Sequence, residues 1–277
     1  MYNAAMSRFR IAPIALVLCA LLSAVQPGPP ANDFHFSILG DRTHLGSAEV
    51  YERIWKEIGQ LHPDFVINVG DSIEGGNDSR AAAQWQELRR IWLRYPYPVY
   101  LTPGNHDIWN DFSRRLFEKE AGRPHFYAFN FQNAHFTVLD NSGSLLLDAE
   151  QLRFLEEDLK ANRNRAPKFV FFHQPFWVVF LRLGSGEFPL HRLAREYGVD
   201  YVVSGHGHQL VRIQRDGITY LEVGSSGGDI TRGTSRGGGL AEGWFYQHVW
   251  VTVEGPRAQL QVKQLDGPLR PLDEKPR

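Results

Sequence analysis

The chain holds one cysteine, Cys19, and it falls within the first 25 residues. The remainder has no thiol, which excludes a disulfide framework, a cysteine zinc site and a cysteine nucleophile there. Any metal must be held by His, Asp, Glu, Asn and water. Charge of one sign is also missing: 30 Lys and Arg stand against 31 Asp and Glu, a formal net charge of -1. A nucleic-acid partner is therefore argued against, because neither a global basic field nor a basic tract laced with aromatics is present. Repeats at solenoid or propeller periods are absent. No apolar run reaches the roughly 20 residues that cross a bilayer.

The apolar run that comes nearest is Ile11 to Val25, behind Arg8 and Arg10. Small residues Ser23 and Ala24 offer a cleavage point, and Pro27, Gly28, Pro29 and Pro30 come next. This pattern predicts an export signal with its linker over residues 1–31 and a periplasmic or secreted protein, with no stable membrane span once the signal is removed. An uncleaved anchor is the alternative. A lipid-modified Cys19 is disfavoured by the bulky Leu18 before it.

The rest of the chain is long enough for one large domain with a sizeable core, expected over residues 32–267, and a polar tail over 268–277. Phe34–Leu39, Phe65–Val69, Pro98–Leu101, Lys168–Phe172 and Tyr201–Val203 read as strands. Helical spacing marks Ala48–Leu61, Ala81–Leu93, Asp111–Glu120 and Asp148–Leu159, with Asn110 or Asp111 and Asp148 as candidate caps. Later strands, from Leu210 to Lys263, succeed one another through turns. Alternation first and consecutive strands afterwards predict an α/β fold: a two-sheet β-sandwich flanked by helices.

The informative feature is the residues that end each strand. The first ends in Gly40-Asp41-Arg42-Thr43-His44 and the second in Gly70-Asp71-Ser72-Ile73-Glu74. The third ends in Gly104-Asn105-His106-Asp107, the next in His173, and the last in Gly205-His206-Gly207-His208. Parallel neighbours would bring these ends to one edge of a sheet. Carboxylate and amide oxygens mixed with imidazole suit Mn, Fe or Zn better than calcium. A carboxylate is the natural bridge between two such ions, and the pair can generate hydroxide near neutral pH and neutralise phosphoryl oxygens. Taken alone, each Asp is more simply a turn residue, and Asn105-His106-Asp107 a helix cap. Independent turns have no reason to deliver metal ligands in this order.

The ordered series Gly-Asp-x-x-His, Gly-Asp-x-x-Glu, Gly-Asn-His-Asp, His, Gly-His-x-His resembles the calcineurin-like metallophosphoesterases from about Phe34 to His208. The resemblance implies two divalent or trivalent metal ions and a small phosphate-ester substrate, with monoester and diester both open. It implies Asp41 and His208 on one metal, Asn105, His173 and His206 on the other, and Asp71 between them. It implies His106 beside the leaving group and Asp107 orienting it. The family's first motif is Asp-x-His, but Thr43 stands where that His belongs and His44 comes one residue later. Adjacent side chains of an extended segment face opposite ways, so His44 serves only if the loop turns there. Otherwise Thr43 and water complete the site, or the first metal is weakly held, and the chain binds phosphate or metal without turnover. Glu74 replaces the tyrosine of purple acid phosphatases, which argues against a tyrosinate–iron centre. Arg42 could reach a substrate phosphate or form a salt bridge. His35, His62, His125, His135, His191 and His248 read as surface or core-edge residues.

Overall fold

The computed structural model describes residues 33–184, 186–231 and 239–272. The expected signal, residues 1–31, and the end of the tail, 273–277, lie outside the described residues.

The elements run β1 (Phe34–Leu39), α1 (Ala48–Leu61), β2 (Phe65–Asn68), α2 (Asp78–Trp92), β3 (Val99–Leu101), α3 (Asp111–Ala121), β4 (Tyr127–Phe131) and β5 (Ala134–Val138). They continue with α4 (Ala149–Ala161), β6 (Lys168–Phe171), α5 (Trp177–Arg182), α6 (Pro189–Tyr197), β7 (Tyr201–Ser204), β8 (Val211–Arg215), β9 (Ile218–Glu222), β10 (Gln247–Glu254), β11 (Arg257–Gln264) and β12 (Leu269–Pro271). Among the described residues two six-stranded sheets form, in the orders β12-β11-β10-β1-β2-β3 and β4-β5-β6-β7-β9-β8. Strands β1, β2 and β3 are parallel neighbours in the first. Strands β5, β6, β7 and β9 are parallel neighbours in the second.

Period-two patterning explains how the layers stack. In β2, Phe65 and Ile67 enter the core shared by both sheets, and Val66 joins the cluster made with α1, α2 and α3. The shared core is built on phenylalanine: Phe36 stacks on Phe65 at 4.8 Å and meets Phe136 and Phe169 edge-on at 5.4 Å. A third cluster packs α4, α5 and α6 against the second sheet through Leu155, Trp177, Leu193 and Val202.

Helix caps obey the local chemistry. Asn110, rather than Asp111, caps α3 in a reciprocal box with Ser113, and Asp148 caps α4. Two helices have no counterpart in the sequence reading. The short α5 buries Trp177 in the core, and α6 carries the helix signature of Pro189 at its start and left-handed Gly198 at its end. The expected tail is partly sheet: Leu269–Pro271 pairs antiparallel with β11. Pro271 is tolerated because β12 is an edge strand.

Candidate metal centre

Asp41 lies just after β1, and its carboxylate is fully buried. It accepts the backbone N–H of His206 at 3.0 and 3.1 Å, which ties the end of the first sheet to the loop after β7 in the second. Asp71 lies after β2 and accepts the backbone N–H of His106 at 3.0 Å. The rim therefore belongs to two sheets, not to one edge as the sequence suggested: Asp41, Asp71 and Asn105 come from the first, His173, His206 and His208 from the second. Backbone strain marks the same place. His44, Asp71, His206 and His208 hold φ of 61°, 54°, 79° and 58°, left-handed values that side chains with a Cβ seldom adopt. Gly104 is a close approach: a Cβ there would lie 2.3 Å from the Asp71 nitrogen and 2.2 Å from its Oδ1.

The imidazoles are oriented by carbonyls. His173 donates from Nδ1 to Val69 O at 2.9 Å, and His208 from Nδ1 to Asp229 O at 2.7 Å. A carbonyl has no proton to give, so each ring carries hydrogen on Nδ1 and turns Nε2 inward, the arrangement of metal-ligating histidines. His173 Nε2 lies 3.2 Å from Asp71 Oδ2, 3.1 Å from Asn105 Oδ1 and 3.9 Å from Asp41 Oδ1. His206 enters through Nδ1, 2.9 Å from Asn105 Oδ1 and 3.2 Å from His173 Nε2. Ligand atoms around a cation with bonds of about 2.1 Å stand about 3.4 Å apart in a tetrahedron, so this spacing fits a transition metal. Asp71, His173 and His206 together offer ligand atoms within 4.8 Å of one another. His208 Nε2 stands 3.8 Å from Asp41 Oδ1.

The electrostatics state the same demand for positive charge. Burial pushes the Asp41 carboxyl up, and the rings of His173 and His208 offset only part of this. Burial works against Asp71 as well, but facing His173 outweighs it and holds that carboxyl below its usual range. Burial disfavours a charged His173, yet Asp71 and Asp41 opposite push it up to about 10. His206 goes the other way, to about 4, through burial and the neighbouring His173. Two buried carboxylates beside imidazoles and an amide oxygen thus form a donor set of the right chemistry for Mn, Fe or Zn.

The remaining predicted residues separate. His106 lines the same cavity of about 320 Å³, together with His44, Asp71, Asn105, His206 and His208. Its Nδ1 donates to Glu74 O at 2.6 Å. Asp107 does not orient it, contrary to expectation. That carboxylate is buried behind the loop, accepting N–H groups of Gly104, Ser72 and Ile73 at 3.0, 2.8 and 3.2 Å. Asp107 holds the two strand-end loops in register instead. Thr43 is buried, with its hydroxyl 3.4 Å from Asp71 Oδ2. The loop does turn at His44, which puts that residue on the cavity wall. Arg42 makes the ion pair of its two readings: it donates to Ser72 O at 3.2 Å, meets Glu87 at 3.5 Å and lies over the Tyr51 ring. His135, His191 and His248 are fully buried rather than peripheral, each bonded within the fold, to Asp158, Tyr220 and Ser37.

Three supporting residues escaped the sequence reading. Asn141 accepts the N–H groups of His173 and Gln174 at 3.0 and 2.9 Å. It comes after β5, so the rule applied to the other strand ends would have found it. Asp229 carries the carbonyl that aims His208. Glu222, the last residue of β9, fills the space a Cβ would need at Gly207, with Oε1 1.9 Å from that position. Burial, then the nearby Asp41, pushes its carboxyl up to about 8.

Fold and site together define a metal-dependent phosphoesterase: two mixed sheets, helices outside, and a His/Asp/Asn cluster on the loops after parallel strands. The chain belongs to the calcineurin-like phosphoesterase family, whose model matches residues 31–210. No curated protein matches it in sequence. Among solved structures it is similar to a purple acid phosphatase from yellow lupin (Lupinus luteus) seeds, TM-score 0.65 at 14% identity, covering 89% of this chain and 54% of that one. It thus spans about half the length of the lupin enzyme. A dimetal phosphatase from Danio rerio gives TM-score 0.59 at 13% identity over 88% of this chain and 98% of that one. GAP50, described as the anchor in the inner membrane complex of Plasmodium, gives 0.60 at 14% over 88% and 90%. At such identities the likeness concerns the fold. Among the described residues no helix is long and apolar enough to cross a membrane.

Proposed function

We propose that this chain hydrolyses a small phosphate ester at a centre holding two cations. Asp41 and His208 would hold one, Asn105, His173 and His206 the other, with Asp71 available to both. Bound cations of this kind neutralise phosphoryl oxygens and make water a competent nucleophile at neutral pH. The protein's part is to orient and to move a proton. Val69 and Asp229 carbonyls aim His173 and His208. His106 is fixed at Nδ1 by Glu74 O and lines the cavity; in its doubly protonated imidazolium form it would give the Nε2 proton to the departing alkoxide. Arg42 takes no part in binding substrate, since it is spent on Ser72 and Glu87.

The observation that carries this reading is the meeting of Asp71 Oδ2, Asn105 Oδ1, His173 Nε2 and His206 Nδ1 at one point, from four loops of two sheets. The test is metal content of the purified protein beside turnover of p-nitrophenyl phosphate and bis(p-nitrophenyl) phosphate, with Mn, Fe and Zn. Two equivalents of metal and turnover support the enzyme. One or none, without turnover, supports the phosphate- or metal-binding alternative that Thr43 motivates. Export belongs to the proposal too and rests on residues 1–31. Fractionation checks it, by locating the chain and the mass of its mature N-terminus.

A further inference from the structure

Seven tryptophans stand in the chain, and six of them are occupied inside the fold. Trp55 stacks on Tyr95, Trp250 stacks on His35, and Trp85 meets Phe117 edge-on. Trp92, Trp109 and Trp177 donate from Nε1 to Tyr51, Asp78 and Ser204. The seventh, Trp244, is half-buried and lines the metal cavity. Among the described residues that line this cavity, seven bear imidazole, carboxylate or amide groups, and Gly207 and Trp244 are the other two. Among those residues Trp244 is thus the one large apolar wall of a polar site. Backbone contacts set its place. Trp244 N–H donates to Gly239 O at 3.0 Å, and Gly243 O accepts the Leu210 N–H at 2.9 Å. The Gln209 amide donates to Glu242 O. Gly243 holds φ of 89°, and a Cβ there would lie 2.4 Å from Leu210 O. Gln209 and Leu210 directly follow His208, so the segment that carries Trp244 is fastened to the loop that carries His206 and His208. A side chain placed in advance loses little freedom when a ligand packs on it.

We infer that Trp244 selects the alcohol part of the substrate, and that this alcohol carries a flat unsaturated ring. The inference rests on the phosphoesterase reading of the metal centre. A flat ring needs one apolar face to stack on and leaves its other face in water, which is what a single indole among polar groups offers. An aliphatic chain needs apolar walls around it, and a quaternary ammonium takes a cage of several aromatic rings. The cavity of about 320 Å³ lies at the small end of ligand clefts, a size that suits a phosphoryl group and one ring system.

The test compares non-hydrolysable benzylphosphonate with cyclohexylmethylphosphonate on the Zn-loaded full chain, read by calorimetry, with p-nitrophenyl phosphate turnover in parallel. The two carry the same number of carbons, and area burial alone favours the saturated ring. Stacking should reverse that order and make benzylphosphonate roughly three- to tenfold tighter. In proton spectra the ring protons of bound benzylphosphonate should shift upfield, the signature of an indole face. Trp244→Leu should abolish both the preference and the shift, and Trp244→Phe should keep a reduced form of each. The wild-type comparison and the Trp244→Phe variant carry the test even if Trp244→Leu fails to fold. Equal affinities in the wild type, or a preference that Trp244→Leu retains, overturn the inference while turnover leaves the phosphoesterase reading standing. Tighter binding of 2-(trimethylammonio)ethylphosphonate than of benzylphosphonate assigns Trp244 to a cationic alcohol and also overturns it. Absence of turnover and of all phosphonate binding overturns both readings.

Discussion

His106 and Asp71 touch each other through one hydrogen bond, His106 N–H to Asp71 Oδ1 at 3.0 Å, yet they do different work. In the proposed centre Asp71 would be the shared ligand, and Asp71→Asn removes its negative charge. We expect turnover to vanish and the fold to persist; residual activity near wild type with unchanged metal content contradicts a shared ligand. The His106 ring, unlike its backbone N–H, is tied to a carbonyl rather than to an atom of the cluster. His106→Ala should slow turnover by roughly 10²- to 10⁴-fold with metal retained. Metal analysis of that variant is decisive, because loss of metal would make His106 a ligand rather than a proton donor.

At the scale of elements the centre is a problem of close approach. Loops from β1, β2 and β3 meet loops from β6 and β7, and backbone packs on backbone where they cross. At Gly104 the β3 loop crosses the β2 loop, and an added Cβ would strike the Asp71 nitrogen at 2.3 Å. That atom belongs to main chain and cannot rotate away. Gly104→Ala should destabilise the protein by about 1–3 kcal/mol, the usual cost of overpacking, and displace the Asp71 carboxylate. Isothermal titration with Mn should show affinity down at least tenfold; wild-type affinity would mean that the two loops have slack the packing does not show.

For the whole molecule, two quantities can be read from the outside. The phenylalanine core between the sheets holds the two halves of the centre together. Phe136 is fully buried, stacked on Phe169 at 5.1 Å and edge-on to Phe36 at 5.4 Å. Phe136→Ala should cost about 3–5 kcal/mol in urea unfolding. The second quantity is pH dependence. In metal-free protein a protonated His173 is the countercharge of Asp71, with a folded pKa of about 10. That lies above the unfolded value of about 6.5. The resulting stability is fully present below the unfolded value and is lost as pH rises through the folded one. Glu222 is pushed up to about 8, so its penalty is complete near that pH, and the window above it reports on His173. Metal-free protein should lose melting temperature between about pH 8.5 and 10 more steeply than a metal-free His173→Asn variant. Identical slopes would remove His173 as the countercharge.

The sequence by itself determined which side chains could serve and in what order. Most of the hydrophobic runs that matter stop at a Gly-Asp, Gly-Asn or Gly-His step, and that is a relation between neighbours along the chain, legible without a fold. Caps were legible for the same reason, as Asp148 shows. Tertiary structure alone decided which atoms face which. That Asp107 turns to Ser72 and Ile73, that Val69 aims His173, and that Trp244 lines the metal cavity are relations between segments tens of residues apart. They are set by how two sheets pack on a phenylalanine core, because a ring nitrogen takes the carbonyl that packing brings within about 3 Å, whatever the chain around it suggests.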